Sequence, residues 1–133
     1  PKEGAPLRAS MYAKVPIINA GDGGHNHPSQ TLIDMMTIRQ LKGRLDHLTI
    51  GFCGDLKFGR TVHSLVNSLV RFPGNTFYFI SPDELRVPEY LVEDTLKPSN
   101  TTYHEVTDLE ATIPKLDVLY MTSVSSTKKI ISV

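Results

Sequence analysis

Two kinds of apolar run alternate along the chain. Short runs rich in β-branched and aromatic residues, at 15–20 (VPIINA), 47–53 (HLTIGFC), 75–80 (NTFYFI), 101–106 (TTYHEV) and 117–121 (DVLYM), predict strands. Between them lie stretches whose apolar residues recur every three or four positions, the spacing of one helix face. Residues 27–41 carry Leu32, Ile33, Met35, Met36, Ile38 and Leu41 near that spacing, and 60–72 carry Val62, Leu65, Val66, Leu69 and Val70. Shorter helices are predicted at 1–13, with Pro1 or Pro6 near its start, and at 88–96, with Pro88 in its first turn. A further one is predicted at 108–115, capped by Thr107 or Asp108. Gly43 supplies a C-cap for the helix over 27–41.

From residue 47 onward the order is βαβαβαβ. Helices on successive connections predict an α/β fold with a mostly parallel sheet and right-handed crossovers. Such sheets bind ligands beyond the carboxyl ends of their strands. Two loops become candidates on topology alone: 21–26 (GDGGHN), after the first predicted strand, and 54–59 (GDLKFG), after the next.

Each loop runs into a helix. In HPSQ (27–30) the proline suits a first helical turn, because it lacks only a donor that would have no partner there. His27 then stands at or near the N-cap, with Gln30 three residues on, so both side chains can point at one spot before the helix end. Free N–H groups and the helix dipole favour an anion or a polarised carbonyl oxygen in that place. Glycines 21, 23 and 24 let the backbone come close to a ligand. A capping histidine and glutamine behind a flexible turn is the plain alternative, and spacing alone favours neither. In GDLKFGRTVHSL (54–65), Arg60 stands in the first turn of its helix, where a cation is disfavoured without a compensating anion. Asp55 is one candidate for that anion. A substrate carboxylate held by the guanidinium fork is the other.

The phosphate loop GxxxxGK[ST] and the dinucleotide fingerprint GxGxxG are both absent. His63 reads as a surface or interface histidine, and His47 and His104 as strand-end residues. Asp22, His25 and His27 give weak support to a metal site, since no cysteine or HExxH pattern accompanies them. The aromatic run at 77–79 lacks the interleaved basic residues of a nucleic-acid stacking platform.

Composition narrows the class further. The 133 residues suit one domain, 40% are apolar, and the formal net charge of +0 offers no bulk attraction to nucleic acid or an anionic membrane. No apolar run approaches the ~20 residues of a membrane span, and no signal peptide is visible. The single cysteine, Cys53, lies in an apolar run and reads as a buried thiol in a reducing compartment, the cytoplasm. Proline in place of methionine at residue 1, with a helical pattern from the start, leads us to expect a sequence that opens within a longer chain.

The segments PKEG, VPIINAGDGGHNHPSQTLIDMMTI, GRLDHLTIGFCGDLKFGRTVHSL, FYFISPDELRVP and LDVLYMT follow one another from residue 1 to about 122. Together they resemble the catalytic chain of the aspartate carbamoyltransferase family. The sister family of ornithine carbamoyltransferases shares an HPxQ element but is much less like GDLKFGRTVHSL. The resemblance implies a Rossmann-like α/β fold, here truncated. Residues 1–41 would end a carbamoyl phosphate domain and include the interdomain helix, 42–122 would form part of an aspartate-binding domain, and 123–133 would be an atypical tail. It implies transfer of a carbamoyl group from carbamoyl phosphate to the α-amino group of L-aspartate, a step of pyrimidine synthesis, with no metal or organic cofactor. His27 would donate to the carbonyl oxygen and stabilise the tetrahedral oxyanion, Gln30 would grip the carbamoyl amide, and Arg60 would bind an aspartate carboxylate. Lys57 and Phe58 match a loop that serves domain closure and intersubunit contacts. Family members form homotrimers with shared sites, and some add regulatory chains.

The family pattern is incomplete in this sequence. Ser123 stands where a second aspartate-binding arginine belongs and Ser125 where a glutamine belongs, and the STRT phosphate-binding loop would precede Pro1. A serine supplies neither the charge nor the fork of a guanidinium. The chain alone is therefore expected to be inactive, and, with sheet surface uncovered, marginally stable or self-associating. A non-catalytic α/β binding or interaction module derived from a carbamoyltransferase is the alternative reading.

Overall fold

A computed structural model of the chain describes residues 2–23 and 26–122. His25 and the departures at Ser123 and Ser125 lie outside them. The elements are α1 (Ala5–Ser10), α2 (Pro28–Lys42), β1 (Thr49–Cys53), α3 (Arg60–Leu69), β2 (Thr76–Ile80), α4 (Glu89–Leu91), β3 (Thr102–Val106), α5 (Leu109–Thr112) and β4 (Val118–Met121). All strand pairs are parallel, in the order β3-β2-β1-β4. The chain steps outward from β1 through β2 to β3, then returns to the far side of β1. The strand order thus reverses between β1 and β4, the place where open α/β sheets leave a crevice at their carboxyl ends.

Register explains the core. Ile50 faces Phe77 and Phe52 faces Phe79, so the two-residue alternation of a strand puts all four side chains on one face. The Phe52 ring stacks on Phe79 with centroids 5.6 Å apart and meets Phe77 edge-on at 5.6 Å. Val62, Leu65, Val66 and Leu69 of α3 and Leu91 of α4 complete this cluster without exposure. On the opposite face, a Cβ at Gly51 would lie 2.5 Å from Leu116 Cδ1, so this glycine gives Leu116 its seat.

Several predicted elements come out differently. Residues 15–20 form no strand, and Ile18 is 85% exposed. A strand exists only through a ladder partner, Pro16 has no N–H to give, and the sheet is built from later segments. The helix at 1–13 contracts to α1, with Pro6 in its first turn. The helix at 88–96 is α-helical only over α4 and widens into a π-helical turn, Val92–Leu96. The helix at 108–115 is capped by Asp108, whose Oδ1 accepts from Ala111 N–H at 3.0 Å, and it tightens to a 3-10 turn at Ile113–Lys115. Along α2 only Thr31 and Ile38 are buried, while Leu32, Ile33, Met36 and Leu41 are exposed.

Candidate active site

The candidate site lies where the loop at 21–26 meets the start of α3. His27 is the N-cap of α2, and its Nδ1 accepts from Gln30 N–H at 3.3 Å, with the Ser29 hydroxyl 3.4 Å away. A backbone amide can only donate, so Nδ1 is the unprotonated nitrogen and the neutral ring carries its proton on Nε2. The capping bond that starts the helix therefore also selects the tautomer. It leaves an N–H donor pointing away from α2.

Arg60 is the first residue of α3 and donates from Nη1 to the Gly23 carbonyl. Four residues on, the Ser64 hydroxyl accepts from His27 N–H at 3.2 Å. One face of α3 thus holds the loop at two points, as the i, i+4 spacing of a helix allows. The loop is tied at its other end by buried Asp22, whose carboxylate accepts from Asn26 N–H at 2.8 Å and Gly4 N–H at 3.2 Å. Between the His27 and Arg60 side chains stands Gly21, with φ at 129°. A Cβ there would lie 3.7 Å from His27 Nε2 and 3.8 Å from Arg60 Nη1. The missing side chain keeps open the space onto which imidazole and guanidinium converge.

Asp55 is not the partner of Arg60. Its Oδ1 accepts from Phe58 N–H at 2.9 Å and shapes the loop at 54–59. Among the described residues no carboxylate stands within ion-pair reach of Arg60. Of the two anions weighed for this guanidinium, the intramolecular one is thus spoken for elsewhere.

Gln30 does not project freely beyond the helix end. Its Nε2 donates to Asp34 Oδ1 at 2.9 Å, one turn further along α2, which leaves its Oε1 as the end able to meet a ligand. Lys57 and Phe58 are exposed at the loop tip, the ammonium 5.5 Å from the ring centroid. His63 is not a surface histidine. It is buried, with Nε2–H donating to the Leu56 carbonyl at 2.7 Å and the Tyr90 hydroxyl donating to Nδ1 at 2.7 Å. Burial lowers its pKa, against smaller opposing effects of the Leu56 carbonyl and Asp55. It pins the loop that precedes Arg60. Cys53 is half-buried, and burial pushes its thiol pKa up. Among the described residues no group of His, Cys, Asp and Glu side chains is arranged to hold a metal ion. Sequence reasoning missed Ser64 and Asp34; their signal was the four-residue spacing from Arg60 and from Gln30.

Residues 2–40 match the aspartate/ornithine carbamoyltransferase, carbamoyl-P binding domain, and residues 46–131 match the aspartate/ornithine carbamoyltransferase, Asp/Orn binding domain. The chain belongs to the aspartate/ornithine carbamoyltransferase family. It is 66% identical over 124 residues to the aspartate carbamoyltransferase catalytic subunit of Lachnoclostridium phytofermentans, covering 93% of this chain and 40% of that one. Its similarity to the catalytic subunit of Clostridium botulinum is 58% over the same length and shares. Its fold superposes on the M. jannaschii aspartate transcarbamoylase catalytic subunit with a TM-score of 0.89 at 50% identity, over 94% of this chain and 40% of that one. The Trypanosoma cruzi aspartate transcarbamoylase, solved in complex with carbamoyl phosphate and aspartate, gives a TM-score of 0.84 at 37% identity, over 94% and 41%. The chain thus spans about two fifths of the length of the curated relatives it matches.

Proposed function

We propose that this chain supplies part of the site of an aspartate carbamoyltransferase. The amine of L-aspartate attacks the carbonyl carbon of carbamoyl phosphate, the bond from that carbon to the phosphate oxygen breaks, and the nitrogen gives up a proton. N-carbamoyl-L-aspartate and phosphate result. The observation that carries the reading is the convergence of His27 Nε2–H and Arg60 Nη1 on the open space at Gly21. His27 donates to the carbonyl oxygen as it becomes an oxyanion, Gln30 accepts from the carbamoyl amine through Oε1, and Arg60 holds an aspartate carboxylate. Bringing two bound reactants into line supplies much of the remaining acceleration. All four relatives named above carry the aspartate rather than the ornithine name, which supports aspartate as the acceptor.

On the same reading, residues 1–41 end a carbamoyl phosphate domain with α2 as the interdomain helix. Residues 42–122 belong to the aspartate domain, and the complete enzyme is a cytoplasmic homotrimer with regulatory chains as possible additions. No helix among the described residues is long and apolar enough to cross a membrane. The test is a chimera in which residues 1–122 replace the matching segment of the Lachnoclostridium phytofermentans catalytic subunit. It should form carbamoyl aspartate and not carbamoyl ornithine. His27→Ala should lower kcat by about 10²–10³, the usual loss for one oxyanion donor. A folded chimera that forms no product would instead favour the non-catalytic module.

A further inference from the structure

We infer that Asp34 is a positioning residue: it holds the Gln30 amide with its carbonyl end toward the substrate, and so sets the preference for a carbamoyl over an acetyl group. The inference rests on the role proposed above for Gln30. Asp34 lies four residues beyond Gln30 on α2, and its Oδ1 is 2.9 Å from Gln30 Nε2. An ionised carboxylate only accepts hydrogen bonds, so the amide must present its NH2 end to Asp34. Turning the amide over would set two acceptors against each other. Gln30 Oε1 is thereby fixed as the outward end, and an amide oxygen recognises only a donor. Carbamoyl phosphate carries an amine on its carbonyl carbon, whereas acetyl phosphate, otherwise alike there, carries a methyl group.

The carboxylate is itself held in place. Its Oδ1 accepts from Gln30, its buried Oδ2 meets no donor at full hydrogen-bond geometry, and the Tyr120 phenol interacts with the same carboxylate. The pKa of Tyr120, on β4, is raised by burial first, lowered in part by a hydrogen bond with Thr61, and raised further by charge and hydrogen-bond interaction with Asp34. A buried carboxylate oxygen short of a full hydrogen bond is unfavourable for folding. Its presence one turn behind the site fits a residue kept for what it does to Gln30.

The test uses the chimera described above and compares the KM of carbamoyl phosphate with the inhibition constant of acetyl phosphate. Asp34→Asn preserves size and shape but offers a donor as well as an acceptor, so the Gln30 amide can face either way. It should raise the carbamoyl phosphate KM by about tenfold while moving the acetyl phosphate constant by less than about twofold. Gln30→Ala should give the same pattern, and Asp34→Glu, which still only accepts, should keep most of the preference. Asp34→Ser is read in the same way if Asp34→Asn does not fold. Equal weakening of both ligands by Asp34→Asn would mark Asp34 as merely structural and overturn the inference. Loss of preference in Gln30→Ala but not in Asp34→Asn would overturn it too, leaving the role of Gln30 intact. No loss of preference in Gln30→Ala would reject that role itself.

Discussion

At the scale of single residues, what the site needs is decided by hydrogen-bond direction. A backbone N–H selects the His27 tautomer, and a carboxylate selects the Gln30 amide orientation. The placement of His27, Gln30 and Arg60 at helix starts was legible, because orphan N–H groups and the dipole make residue type informative there. His63 was not legible. Its partners, the Leu56 carbonyl and the Tyr90 hydroxyl, come from a loop and from a residue 27 positions away, and no local pattern announces them. Its burial has a consequence for stability. The folded-state pKa of His63 lies below the ordinary value of 6.5, so below that pH the unfolded chain binds the extra proton first. Stability is then present above about pH 6.5 and falls as pH drops below it. Denaturation midpoints between pH 7.5 and 5 should show this slope, and His63→Gln should flatten it at low pH while lowering stability at high pH. An unchanged slope in the variant would remove His63 from the account.

At the scale of elements, periodicity located the parts that make their own case. The strands β1, β2, β3 and β4 and the helix α3 lie within the predicted stretches, and α2 runs only one residue past its own, to Lys42, since their patterns match their burial or their caps. The failures share a cause. VPIINA has strand composition but no neighbouring strand, and the widened turn at Val92–Leu96 depends on packing that propensity does not encode. The helix pattern over 27–41 was found, yet four of its six apolar positions point outward, because α2 packs chiefly on α3 and buries only Thr31 and Ile38. The loop joining β1 to α3 illustrates how tightly one element end depends on another. Gly54 has φ at 122°, and a Cβ there would lie 2.4 Å from the Thr122 carbonyl oxygen, beside the bond from Thr122 N–H to the Cys53 carbonyl at 2.9 Å. Gly54→Ala therefore combines backbone strain with a clash that neither main chain can relieve. It should destabilise the fold by about 2 kcal/mol or more, read as a lower denaturant midpoint.

At the scale of the whole molecule, the parallel sheet was legible but its strand order was not. The repeat of strand and helix fixes right-handed crossovers, while the return of β4 to the far side of β1 depends on which side the last crossover takes. That return matters, because it opens the crevice beside the loop carrying Arg60. It also leaves α2 with a covered face and an uncovered one. Leu32, Ile33 and Met36 stand exposed on α2, as do Met11, Tyr12 and Ile18 on the segment before it. Apolar side chains grouped in this way favour association. Sedimentation velocity on this chain should show species that grow with concentration. Leu32 and Met36 are four residues apart and so neighbours on the helix surface. Leu32→Glu with Met36→Glu should shift the distribution toward monomer without lowering the melting temperature, since neither side chain contributes to the core. Wild-type chain that stays monomeric across the whole concentration range would show that this face needs no cover. Association that survives both glutamates would place the contact elsewhere on the molecule.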